Sequence, residues 1–178
     1  FTYASTEYCK SGSNPTPTIT GTTGGTFSST AGLSINTSTG EINIAASTAG
    51  TYTVSYVTSS NLCAVTGTFD VTITDDEDGT FTYASAEYCV SGSDPTPTIS
   101  GTTGGTFSST AGLSINASTG EIDLSASTAG TYTVSYLTSS NTCAVTGTFD
   151  VTITEDEDGT FTYASTEYCK SGSNPTPT

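Results

Sequence analysis

Val65-Thr66-Gly67-Thr68-Phe69-Asp70-Val71-Thr72-Ile73-Thr74 alternates without interruption. Val65, Gly67, Phe69, Val71 and Ile73 fall on one face, and Thr66, Thr68, Asp70, Thr72 and Thr74 on the other, the period-2 pattern of a half-buried strand. Just upstream, Tyr52, Val54 and Tyr56 alternate with Thr51, Thr53 and Ser55. Leu33 and Ile35 lead through Thr37-Ser38-Thr39-Gly40 into Ile42 and Ile44, which predicts a hairpin with glycine in its turn. Pro15 to Thr20 and Thr26 to Thr30 flank a second turn, Thr22-Thr23-Gly24-Gly25, and Phe1 and Tyr3 begin the unit. Pro15 and Pro17 confine their strand to a sheet edge or a strand start, because proline cannot donate to a ladder. No window shows the apolar spacing of an amphipathic helix. About seven short strands separated by turns predict an all-β chain of immunoglobulin-like β-sandwiches.

The pattern is repeated. Phe1–Thr80 recurs as Phe81–Thr160 with 11 differences, and Phe161–Thr178 restarts it, matching Phe1–Thr18 at every position. The expected organisation is a first immunoglobulin-like repeat at 1–80, a second at 81–160, and the start of a third, cut short, at 161–178. Near-identity of this kind points to recent duplication, and the sequence reads as an internal window onto a longer array. A core built from 80 residues is small and benefits from a covalent staple.

Composition removes several function classes. The chain has no His, Trp, Met or Arg, and Lys10 and Lys170 are its only lysines. A net charge of −15 excludes nucleic acid as a natural partner and opposes anionic membrane surfaces. No stretch has the apolar length of a membrane span, so no membrane insertion is expected, and no signal peptide is present. Thr-rich sequence alone would suit a disordered, mucin-like segment. The Val/Ile/Tyr/Phe alternation and the spaced cysteines argue for a folded chain instead.

Cys9, Cys63, Cys89, Cys143 and Cys169 give each repeat one early and one late cysteine. No C-x-x-C or histidine accompanies them, so the reading is structural disulfides and an oxidising compartment. Pairing within repeats would form Cys9–Cys63 and Cys89–Cys143. Pairing between repeats would form Cys63–Cys89 and Cys143–Cys169. Each scheme strands one cysteine; the first is preferred because each unit would then fold alone.

Ala49-Gly50-Thr51-Tyr52 has the G-x-Y form that enters strand F of many immunoglobulin-like domains, making Tyr52 and Tyr132 candidate tyrosine corners. Together with Gly32-Leu33-Ser34-Ile35, Ser38-Thr39-Gly40-Glu41-Ile42, Tyr8-Cys9, Gly24-Gly25-Thr26-Phe27 and Cys63, this stretch resembles the tandem immunoglobulin-like and cadherin-like repeats of giant Bacteroidota-type secreted adhesins and gliding-motility surface proteins. The resemblance covers every residue of each unit. It implies a filamentous protein, at the cell surface or released, exported in a folded, oxidised form, and it brings no ligand-binding residue with it.

The concentrated charge lies at the repeat boundaries: Asp75-Asp76-Glu77-Asp78 and Glu155-Asp156-Glu157-Asp158, each followed by glycine. Packed carboxylates repel, and a hard cation would relieve them, so calcium between repeats is one expectation. A solvated, self-repelling linker is the simpler one and is favoured, because the runs lack a complete calcium-loop pattern. No cofactor is required. Asn36-Thr37-Ser38 and Asn116-Ala117-Ser118 match the glycosylation sequon, a match expected by chance in so Ser/Thr-rich a chain. A Lys–Asn isopeptide in every repeat is impossible, because Val90 stands where Lys10 does and the second repeat has no lysine.

No nucleophile–base pair, metal-ligand set or phosphate loop is present, and Gly24-Gly25 is a turn. Glu41 and Asp70 as a glycosidase-like pair read better as surface carboxylates on strands. No catalytic residue is assigned, and the chain is expected not to be an enzyme. The expected role is structural: a repeat of an extracellular filament or adhesin stalk, whose partners are neighbouring repeats and, in a fibre, other copies. The alternative is a repeated carbohydrate-binding module, which needs Phe1, Tyr3 and Tyr8 exposed as a glycan platform. Ice binding through threonine arrays is weaker, since β propensity already explains threonine in strands.

Overall fold

A computed structural model describes residues 1–60, 62–140 and 142–177. The described residues form strands, turns and irregular segments without a helix. In the first repeat, β1 (Glu7–Cys9), β2 (Thr26–Ser29), β3 (Gly50–Val57) and β4 (Thr66–Thr74) make one sheet in the order β1-β4-β3-β2. Strands β3 and β4 pair antiparallel from Gly50↔Ile73 to Val57↔Thr66, whereas β1 runs parallel to the end of β4, with Cys9 opposite Thr74. The bridges Thr2↔Thr18 and Ile35↔Ile42 mark the facing layer.

The second repeat draws the same plan more fully. Its segments are β5 (Phe81–Thr82), β6 (Glu87–Cys89), β7 (Thr98–Ile99), β8 (Thr106–Ser109), β9 (Ser114–Ile115), β10 (Ile122–Asp123), β11 (Gly130–Leu137) and β12 (Thr146–Thr154). The large sheet is β6-β12-β11-β8, and β5-β7 and β9-β10 are short ladders. Eight segments appear where about seven were expected, because the first strand changes sheets. Phe81–Thr82 pairs with β7, and after a bend Glu87–Cys89 joins β12.

Each repeat is an immunoglobulin-like sandwich around its own core. Phe27, Ile42, Ile44, Tyr52, Val54, Tyr56, Val71 and Ile73 close the first, and their counterparts close the second. The alternation in β3 is buried as expected, with Tyr52, Val54 and Tyr56 inward. Tyr3 is buried at 5% exposure, and its hydroxyl donates to the Gly40 carbonyl, as that of Tyr83 does to Gly120. Gly40 and Gly120 need to be glycine: both have positive φ (75° and 73°), and a Cβ there would press on Pro17 or Pro97. Tyr52 and Tyr132 form the expected corners, donating to the carbonyls of Thr48 and Thr128 at 2.8 Å.

The strand beginning at Val65 differs from its pattern in one respect. Val71 and Ile73 are buried, but Val65 is 65% exposed and Gly67 is open. The apolar face runs past the core onto the end of the sandwich. The parallel β1–β4 pairing thus gives each repeat two distinct ends: one with Cys9 beside the exit at Thr74, the other with Cys63, Val65 and Gly67 in and beside the β3–β4 connection.

Candidate functional site at the junction of the repeats

The exit end of the first repeat sits on the entry end of the second, and a disulfide joins them. Cys9 is bonded to Cys143, 134 positions further along the chain, with Cα atoms 5.4 Å apart. Cys63, Cys89 and Cys169 are free and exposed. This corrects the preferred pairing Cys9–Cys63 with Cys89–Cys143, and also the alternative Cys63–Cys89 with Cys143–Cys169. The physical reason is β4. Its nine residues separate the Cys63 loop from Cys9, roughly 26 Å at about 3.3 Å per residue, whereas a disulfide needs Cα atoms within about 7 Å. Early and late cysteines of one repeat lie at opposite ends; the early cysteine of one repeat and the late cysteine of the next lie together.

The acidic linker is tied into this joint by hydrogen bonds, with Asp76 and Glu77 half-buried and Asp75 and Asp78 exposed. Asp76 accepts the Ser11 hydroxyl at 2.8 Å. The Glu77 amide donates to the Cys143 carbonyl at 3.1 Å, and its carboxylate accepts the Ser140 amide at 2.9 Å. The Asp78 carbonyl accepts the Thr102 amide at 2.7 Å, while the Asp78 amide donates to the Thr102 hydroxyl at 3.1 Å. Glu7 reaches across, accepting from Thr74 at 2.9 Å and from Thr142 of the second repeat at 3.3 Å. The carboxylates thereby meet neutral donors, which supply several polar contacts without any cation from the chain. The Thr80 hydroxyl and amide both donate to Asp78 and hold its carboxyl below the usual carboxylate range.

Two glycines make the close approach. Gly79 is buried, and a Cβ on it would stand 2.7 Å from the Gly147 nitrogen; a Cβ on Gly147 would collide with the Gly79 carbonyl oxygen. Gly101 similarly lies against the backbone of Asp78. Sequence reasoning missed these three. The available signal was Gly67/Gly147 on the apolar face of an otherwise regular strand, where glycine marks a site that another backbone approaches.

The remaining candidates fall elsewhere. Asp75 is exposed, and Glu155, Asp156, Glu157 and Asp158 are all exposed, with Asp156 accepting from Ser91. Asp158 accepts the Thr160 amide, as Asp78 accepts that of Thr80. Among the described residues, the one group of three potential ligand atoms is Cys9, Asp76 and Cys143. Two of these are disulfide sulfurs, which have no thiolate to offer, so the group does not suit calcium, a cation that takes six or more oxygens. Phe1, Tyr3 and Tyr8 belong to the core and its margin: Phe1 packs edge-on to Phe27 at 5.4 Å, and no exposed aromatic platform forms there. Asn36 turns its side-chain oxygen to the amides of Ser38 and Thr39, as Asn116 does to Ser118 and Thr119, making both sequons turn elements. Glu41 and Asp70 are ordinary strand and turn carboxylates, Asp70 accepting from Thr53 at 2.7 Å. No helix among the described residues is long and apolar enough to cross a membrane.

No family model matches the sequence, and no curated protein matches it. Among solved structures, the chain is similar to a SusE-like surface-located polysaccharide-binding protein from the Bacteroides thetaiotaomicron heparin utilisation locus (TM-score 0.38, 16% identity, 78% of this chain and 30% of that one). It is also similar to mouse protocadherin-24 EC1-3 (TM-score 0.36, 14% identity, 94% and 68%) and to human protocadherin-24 EC1-2 (TM-score 0.33, 13% identity, 85% and 95%). The chain thus spans less than a third of the first of these. These are likenesses of fold.

Proposed function

We propose that this chain is a load-bearing repeat of an extracellular filament or adhesin stalk, in which 80-residue sandwich domains stack end to end and are stapled across their junctions. The observation behind this reading is the Cys9–Cys143 bond, which joins two repeats rather than closing one. A staple inside a domain raises that domain's stability; a staple across a joint resists bending and separation, the property a stalk needs. The linker adds directionality, because the exit end supplies carboxylates and the entry end supplies the amides and hydroxyls that receive them. A joint between unlike faces is heterologous, and repeated without closure it produces an open fibre.

Disulfides across exposed joints persist in an oxidising, extracellular setting. The acidic surface, at −15 overall, keeps such rods soluble and apart. A role in cell-surface adhesion or gliding follows from the resemblance of the repeats to adhesin units. The carbohydrate-binding alternative lacks its aromatic platform in both complete repeats. Electron microscopy of native material at neutral pH tests the reading. Continuous fibres or strings of beads with an axial repeat of roughly 35 Å or more per domain are the expected result; compact, unconnected particles would contradict it.

A further inference from the structure

The staple decides which strands carry tension. Under load applied upstream of Cys9 and downstream of Cys143, the shortest covalent path leaves the first repeat at Cys9 and enters the second at Cys143. From there it runs through Ala144 and Val145 into β12 (Thr146–Thr154) and out at the end of that strand. Positions 10–142 hang outside this path. They hold β2, β3 and β4, the linker at the joint, and every strand of the second repeat except β12.

The two routes meet different geometry. β12 is an interior strand, flanked by β6 on one side and by the whole length of β11 on the other, with Val151 and Ile153 in the core. A strand rises about 3.3 Å per residue, close to the maximal reach of the chain. Pulled at both of its own ends, β12 cannot lengthen appreciably, and the opposed forces balance within it instead of loading its neighbours. With the staple open, load enters each repeat through its first strand and leaves through its last. These strands pair in parallel, Glu7–Cys9 with Thr72–Thr74 and Glu87–Cys89 with Thr152–Thr154. They are then drawn in opposite directions. The ladder is sheared, including the Thr72 amide on the Thr6 carbonyl (2.8 Å) and the Lys10 amide on the Thr74 carbonyl (3.0 Å). Once it gives way, no covalent bond holds the sandwich closed.

We propose that Cys9–Cys143 is a redox-gated load bypass. Closed, it makes β12 the tension-bearing tie and shields both sandwiches; opened by a small-thiol reductant, it turns the two sandwiches into extensible links. This rests on the reading of the chain as a load-bearing repeat and adds the route of the load and its control. Cys143 is 3% exposed and Cys9 half-buried, so the Cys9 sulfur is the more open to attack. A reductant thiolate bonds to it, breaks the S–S bond and releases the Cys143 thiolate. A second reductant thiolate attacks the mixed disulfide and releases the Cys9 thiolate. The protein disulfide is reduced to two thiols, two reductant thiols are oxidised to one small disulfide, and their two protons pass to the cysteines.

The test holds single molecules of the whole chain by tags at Phe1 and Thr178 under constant force. All carry C63S, C89S and C169S, and mass mapping first verifies the Cys9–Cys143 link. Opening of each core is read by maleimide labelling of Val54→Cys or Val134→Cys, both valines being fully buried. A chain with C9S and C143S represents the open staple without added thiol. It should lengthen in two steps of roughly 200 Å each, at about 3.4 Å per residue released, and both probes should label. At the same force the stapled chain should show neither, until dithiothreitol brings out the two steps. Labelling of either probe in the stapled chain under load, but not at rest, would overturn the shielding. An unstapled chain that lengthens without these steps would overturn the switch, and this count needs no substitution in either core. The two readings fail separately: an absent Cys9–Cys143 link removes the observation behind the stalk, whereas an intact link with labelled cores removes only the bypass.

Discussion

Gly79 and Gly147 meet backbone to backbone across the junction, with no room for a side chain on either. Gly67, which occupies the same strand position in the first repeat, has only a ring edge in van der Waals range. Identical sequence contexts therefore carry different constraints, and the difference is the Gly79 backbone packed against Gly147.

Gly147→Ala should accordingly loosen the joint at a cost of about 1–3 kcal/mol, the range for forcing atoms into a packed site. Gly67→Ala should stay within about 0.5 kcal/mol, because its surroundings are open. The rate at which a small thiol reduces Cys9–Cys143, measured with each variant, separates the two. Equal rates would mean that the glycine contact contributes nothing to the joint.

A second expectation concerns alkaline pH. Burial pushes the Tyr3 and Tyr83 phenols well above their ordinary value, with smaller contributions from Tyr8 and Tyr88. A folded value above the unfolded one favours the neutral phenol in the fold. The stability this provides is complete below about pH 10, where unfolded tyrosine is also neutral, and is lost as pH rises above that value. Thermal melts should therefore fall steeply above about pH 10. Tyr83→Phe should lower stability at neutral pH by about 1 kcal/mol through the lost bond to Gly120, yet flatten the alkaline decline. A parallel decline in the variant would place the sensitivity elsewhere.

Mechanical extension should depend on redox state. With Cys9–Cys143 closed, the stretch of chain between these cysteines, which are 134 positions apart, is outside the shortest covalent path from Phe1 to Thr178. Pulled by its ends, the oxidised chain should lack roughly 450 Å of contour length at about 3.4 Å per residue, all of it recovered on reduction. Force spectroscopy with and without a reductant measures this, and equal contour lengths would contradict the bond.

Calcium should have little influence on the joint. Asp76, Glu77 and Asp78 are turned to separate donors, Ser11, Ser140 and Thr80, rather than to one another. A chelator should shift the melting temperature by less than about 2 °C, the scale of a fraction of a kcal/mol in a chain of this size. A rise of many degrees on adding calcium would show that the carboxylates regroup around it.

Much of the fold was legible because it is written in local alternation. Tyr52, Val54 and Tyr56 point inward as their spacing requires, and Tyr52 makes the corner that its G-x-Y context announced. The disulfide was not legible. The partner of Cys9 depends on β1 running parallel to the end of β4, a long-range pairing that no nearby residue specifies. Spacing alone counted residues along the chain, whereas β4 carries Cys63 to the opposite end of the sandwich. Glu77 and Asp78 were read as charge, and their role at the junction depends equally on the backbone amides of Ser140 and Thr102. Those donors lie 63 and 24 positions away and have no sequence signature.

Mass mapping of linked peptides from the unreduced chain addresses the central claim most directly. The repeats differ where it matters: Lys10 against Val90 beside the early cysteine, and Leu62 against Thr142 beside the late one. Cys9 and Cys169 have the same flanking sequence, so the C169S chain is the one to map. A peptide containing Lys10 joined to one containing Thr142 is the result expected of repeats stapled across their junction. A Lys10 peptide joined to a Leu62 peptide, with Val90 joined to Thr142, would mean that each repeat closes on itself and that no covalent bond crosses the joint.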